Sequence, residues 1–115
     1  MTSPDVGKAK AAAMAKALDT MWARFLPEIN ERVQVLDKAA EAAAVGRRSE
    51  KLRSAAHQAA HKLAGTLGTF GLGHGTDLAR EAEILYTRDE LVPEEATRLK
   101  KIAGDIRVIV EGRRS

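Results

Sequence analysis

The chain of 115 residues has no cysteine, which excludes disulfides, thiolate metal sites and a cysteine nucleophile. Aromatic residues make up only 3% of it. A buried interior must therefore be built mainly from Ala, Leu, Val and Ile, a palette that favours close-packed helices over a sheet. There is no apolar stretch long enough to span a bilayer, and Met1–Lys10 lacks the apolar run of a secretory signal. No membrane partner is expected, and the location expected is cytoplasmic. Dominance of one charge sign is missing too, since 16 acidic residues are scattered among 19 basic ones for a net charge of +3. Arg47–Arg48 and Arg113–Arg114 fall at loop or terminal positions and read as solvated surface, so no nucleic-acid partner is expected. A phosphate-cradling glycine loop is absent, which speaks against autonomous kinase activity. None of the four serines, Ser3, Ser49, Ser54 and Ser115, sits on a nucleophile elbow.

What is present is helical periodicity almost throughout, with no sustained two-residue alternation. Ser3-Pro4-Asp5 has the form of an N-cap with proline in the first turn, and Met14, Leu18, Met21, Trp22 and Phe25 then repeat at helical spacing. Pro27 lacks an amide donor and disfavours helix at Leu26, so it is predicted to end this helix or kink it into the next. Ile29, Val33, Leu36, Ala40 and Ala43 line a second helix that stops near Val45-Gly46. A third runs from about Ser49 to about Phe70, and Gly71, Gly73 and Gly75 punctuate the turn after it. Leu78, Ala82 and Leu85 mark a fourth, ending near Tyr86. Pro93 opens a fifth, with Glu94 and Glu95 at the positive end of its dipole and Leu99, Ile102, Ile106 and Ile109 on one face. Connections of a few residues make sequential helices antiparallel. The expected fold is all-α, a single domain over residues 1–115: an antiparallel up-down four-helix bundle with an additional N-terminal helix.

The third helix departs from a generic pattern. On a helical wheel with His61 at zero, Leu52 and Phe70 fall opposite it, and Ala55, Ala56, Ala59, Leu63, Thr66 and Leu67 lie within roughly 60° of that direction. That arc is the core face, so His61 points to solvent. Within roughly 60° of His61 lie Ser54, His57, Gln58, Ala64, Gly65 and Gly68. The two glycines each lose about 1 kcal/mol of helix propensity relative to alanine. Either they flatten the surface so that another protein can reach the imidazole, or they admit a neighbouring helix or end this one.

His57 and His61, one turn apart, could also offer two nitrogens to a divalent metal, with His74 as a conceivable third ligand. Gln58 stands where a zinc hydrolase would need a glutamate. Another possibility is a helical interaction module that presents the Gly65–Gly68 groove to a partner helix, with His61 incidental.

Ala60-His61-Lys62-Leu63-Ala64-Gly65, continued by Thr66-Leu67-Gly68-Thr69-Phe70-Gly71-Leu72, closely resembles the signature of histidine phosphotransfer (HPt) domains. Leu78-Ala79-Arg80-Glu81 and Leu85 look like that family's next helix, and Trp22 to Lys38 like its preceding ones. The resemblance spans about residues 18–110, with the phospho-acceptor helix at about 49–70. Many relatives carry lysine three positions after the histidine, where this chain has Ala64, while Lys62 matches the basic residue some carry immediately after it.

The resemblance implies a phosphorelay carrier that takes a phosphoryl group on His61, through Nε2, and passes it to a response-regulator aspartate. Lys62 and Gln58 become candidates for stabilising the phosphoryl group, and His57, Ala64, Gly65 and Gly68 for docking the partner. The partners implied are a receiver domain, which supplies the aspartate, Mg²⁺ and a lysine, and a sensor histidine kinase. The domain itself would carry no metal or other cofactor, which suits a His61 face without carboxylates, and a monomer is expected.

Overall fold

The computed structural model describes residues 4–113, and its regular structure is entirely helical: α1 (Pro4–Ala44), α2 (Glu50–Thr69), α3 (Gly73–Leu85) and α4 (Pro93–Gly112). The all-α bundle is as expected, but four helices stand in place of five. The additional N-terminal helix is not separate, because α1 passes through Pro27 without a break. An interior proline costs about 3 kcal/mol. Trp22, Ile29, Val33, Leu36 and Ala40, on both sides of Pro27, are all buried on one stripe. Each large apolar side chain so buried contributes roughly 1.5–3 kcal/mol, so packing outweighs the proline. Pro27 and Ala23 are both exposed, which leaves the carbonyl without an amide partner open to water. Ser3, the expected N-cap of this helix, lies outside the described residues.

Each helix packs against its neighbours in sequence, and α1 also against α4. The chain reverses at every connection. Phe70, at the end of α2, meets Trp22 of α1 edge-on, with ring centroids 5.1 Å apart. Arg53, near the start of α2, donates to the Tyr86 carbonyl at the end of α3 over 2.6 Å. Arg98 of α4 pairs with Glu81 of α3, and Arg107 of α4 with Asp37 of α1. Trp22, Ile29, Leu36, Leu63, Leu67, Leu99, Ile102 and Ile106 fill the centre.

A 41-residue helix is about 60 Å long and a 20-residue one about 30 Å, so α1 projects well past the bundle. Residues 6–17 are exposed throughout. The apolar repeat before Pro27 is therefore only partly core: Trp22 is buried and Leu18 half-buried, while Met14, Met21 and Phe25 remain exposed.

Local chemistry sets the ends of α2. Ser49 Oγ accepts from the Leu52 amide at 3.1 Å, satisfying one orphan donor of the first turn. At the other end the Gly71 amide donates to Gly68 O (3.0 Å) and the Leu72 amide to Leu67 O (2.9 Å). Gly71 has φ +72°, the left-handed conformation this termination needs. Four residues on, Gly75 is buried, and a Cβ there would lie 2.9 Å from Leu67 Cδ1. That close approach seats α3 against the Leu67 flank of α2.

Candidate functional site

α2 buries Ala56, Ala59, Ala60, Leu63, Ala64 and Leu67. The centre of this stripe is rotated about 50° from the point opposite His61, toward the flank that α3 covers. Ala64 is consequently only 6% exposed, and its carbonyl accepts a 2.9 Å hydrogen bond from the buried Thr76 hydroxyl of α3. The expectation that Ala64 helps to dock a partner is corrected by that burial.

His61 lies at the middle of α2 with its side chain 72% exposed. Its Nδ1 is 2.8 Å from Oε2 of Glu83, a residue of α3. An ionised carboxylate can only accept, so Nδ1 carries the proton and donates it. In the neutral ring this leaves Nε2 with a free lone pair. The side chain is thus oriented by a rigid neighbouring helix, and its far nitrogen is available to an incoming electrophile. His57, one turn earlier, is partly buried and has Nε2 4.0 Å from the same Glu83 oxygen. The expectation of a face without carboxylates is therefore wrong at one point: α2 brings none, but α3 does.

Two shallow depressions flank His61. One, between α2 and α3, is lined by His57, Gln58, His61, Lys62 and Glu83. The other, between α1 and α2, includes Phe25, Arg32, Lys62, Gly65 and Thr69 along with His61. Lys62 and Gln58 are exposed, and Lys62 lines both depressions.

The two glycines have different reasons to be there. A Cβ on Gly65 would meet nothing within 4 Å, whereas one on Gly68 would come within 3.3 Å of Thr76 Oγ1. Packing of α3 accounts for Gly68, and no contact among the described residues accounts for Gly65.

Of the other acidic residues on α3, Glu81 is committed elsewhere. The Arg98 side chain hydrogen-bonds its carboxyl and holds it below the ordinary carboxylate range. His57, His61 and Glu83 are the nearest approach to the metal site weighed from sequence. Among the described residues no group of three or more His, Asp or Glu is placed to hold an ion. His74 is exposed in the first turn of α3.

These features define a class: a helical bundle that presents one exposed, hydrogen-bonded histidine from the middle of a helix, with open space beside it. The Hpt domain family model matches residues 20–111, and the chain belongs to that family. Family membership brings a phosphotransfer-carrier role in general terms. No curated protein and no solved structure matches the chain. The family match begins at residue 20, so most of the projecting part of α1 lies outside it.

Proposed function

We propose that this domain is a phosphorelay carrier that accepts a phosphoryl group on His61 Nε2, from a receiver-domain aspartyl phosphate or a sensor kinase, and passes it to a response-regulator aspartate. The observation that carries the reading is the 2.8 Å contact of Nδ1 with Glu83, which frees Nε2 on an exposed side chain. In the forward step the Nε2 lone pair forms the N–P bond while the aspartyl O–P bond breaks. The ring gains positive charge next to the Glu83 carboxylate, which offsets it.

Phosphoryl transfer depends on in-line geometry and on charge stabilisation more than on covalent chemistry. Open space at Gly65 suits the approach of a partner's active site, and Lys62 and Gln58, which line the depression beside His61, are the candidates for contacting phosphoryl oxygens. Mg²⁺ and the accepting aspartate belong to the partner in this scheme, and the setting is the cytoplasm. Incubation with a phosphorylated receiver domain tests it: acid-labile, base-stable label should enter the domain and be absent from His61→Gln, which should still bind the receiver. Label that persists in His61→Gln names another acceptor and refutes the assignment.

A further inference from the structure

Glu83 has a second consequence once His61 carries a phosphoryl group. Nε2 is then bonded to phosphorus, and Nδ1 retains its proton only as part of a cationic ring. We infer that Glu83 keeps phospho-His61 in this protonated form and so sets how readily the domain discharges, an inference that rests on the carrier reading above.

On discharge the Nε2–P bond breaks and its electron pair returns to Nε2, while an oxygen of the acceptor carboxylate or of water forms the new O–P bond. With water, its displaced proton passes to solvent. If Nδ1 holds its proton, the departing ring is neutral imidazole. If it does not, the departing group is an imidazolate anion, a much poorer leaving group.

The groups facing His61 are His57 and Lys62 from α2, Glu83 from α3, and Glu28 and Arg32 from α1. Of these, Glu83 alone lies within hydrogen-bonding distance of Nδ1, at 2.8 Å. Its side chain is 25% exposed, so its charge is screened less than that of a fully solvated carboxylate. A charge-assisted hydrogen bond to Nδ1–H strengthens as the ring becomes cationic. The same contact therefore serves loading and unloading, whereas a merely orienting hydrogen bond would bear on loading alone.

Phosphoramidate, a small-molecule phosphodonor that needs no protein partner, can load the wild type, Glu83→Gln and Glu83→Ala. Loss of phosphate from His61 is then followed in alkaline buffer, where an unassisted phosphoimidazole has largely lost its Nδ1 proton, with and without a receiver domain. Discharge should be fastest in the wild type, slower in Gln and slowest in Ala, by roughly tenfold, the rate equivalent of one charge-assisted hydrogen bond. Its decline with rising pH should begin at lower pH in both variants, while helicity and thermal midpoint stay close to wild type.

Equal or faster discharge from Glu83→Ala overturns the inference and leaves the carrier reading standing. A wild type that takes no label on His61 overturns the carrier reading itself. Two-bond ¹H–¹⁵N correlation on the unphosphorylated protein gives an independent readout. The proton should sit on Nδ1 in the wild type, and finding it on Nε2 also overturns the inference.

Discussion

Gly65 offers the sharpest separation of stability from docking. A methyl group there meets nothing within 4 Å, so Gly65→Ala keeps the fold and gains the helix propensity that glycine forgoes, about 0.5–1 kcal/mol. For a domain of this size that raises the thermal midpoint by roughly 2–6 °C. Gly65→Gln should gain nearly as much, since glutamine is also a good helix former, but it puts a side chain into the depression beside His61. Transfer from a phosphorylated receiver should slow at least tenfold while the midpoint rises.

Gly75 is the control. A Cβ there lies 2.9 Å from Leu67 Cδ1, and Leu67 is fully buried, so it has no room to withdraw. Overpacking of about 1–3 kcal/mol exceeds the propensity gain, and Gly75→Ala should lose about 1 kcal/mol net. The assays are thermal unfolding by circular dichroism and time-resolved phosphotransfer. A destabilised Gly65→Ala would reveal a packing role that the geometry denies. Wild-type transfer rates in Gly65→Gln would mean that no partner descends on this surface.

Three further outcomes follow from the same geometry. Leu63→Ala should lose about 2–5 kcal/mol in urea titrations through the cavity it opens, while His61→Gln should change stability by under about 0.5 kcal/mol because its side chain faces water; equal losses would contradict the burial pattern of α2. Pro27→Ala restores an amide donor within α1 and should stabilise the domain by roughly 1–3 kcal/mol, so a lower thermal midpoint would show that the proline serves the fold. The Arg98 hydrogen bond lowers the Glu81 carboxyl below its ordinary 4.5, so its stabilisation is complete above pH 4.5 and is lost as pH falls through the depressed folded value. The stability difference between wild type and Glu81→Gln should then shrink on acidification, and a difference that is constant from neutral to acid pH would refute that linkage.

How far the molecule was legible in its sequence depends on the range of the force that decides each feature. Helix ends are set within a few residues, by the Ser49 side chain, the left-handed Gly71 and the Pro93 start, and all of these can be read from the chain. The passage of α1 through Pro27 is decided by burial of Trp22, Ile29 and Val33 against other helices, which a local breaker rule does not weigh. The face of α2 opposite His61 follows from periodicity, but its rotation toward Ala64 is imposed by α3, and a wheel drawn for one helix does not contain that neighbour.

Glu83 was missed for the same reason, although a signal existed. In an antiparallel helix pair, residues equidistant from the turn face one another, and His61 and Glu83 are equidistant from Leu72, next to the left-handed Gly71. Counting outward from Leu72, the residue after that glycine, places the Glu83 carboxylate opposite the histidine before any coordinates are known. The nucleophile can thus be read from α2 alone, whereas the group that fixes its tautomer requires the register between two helices.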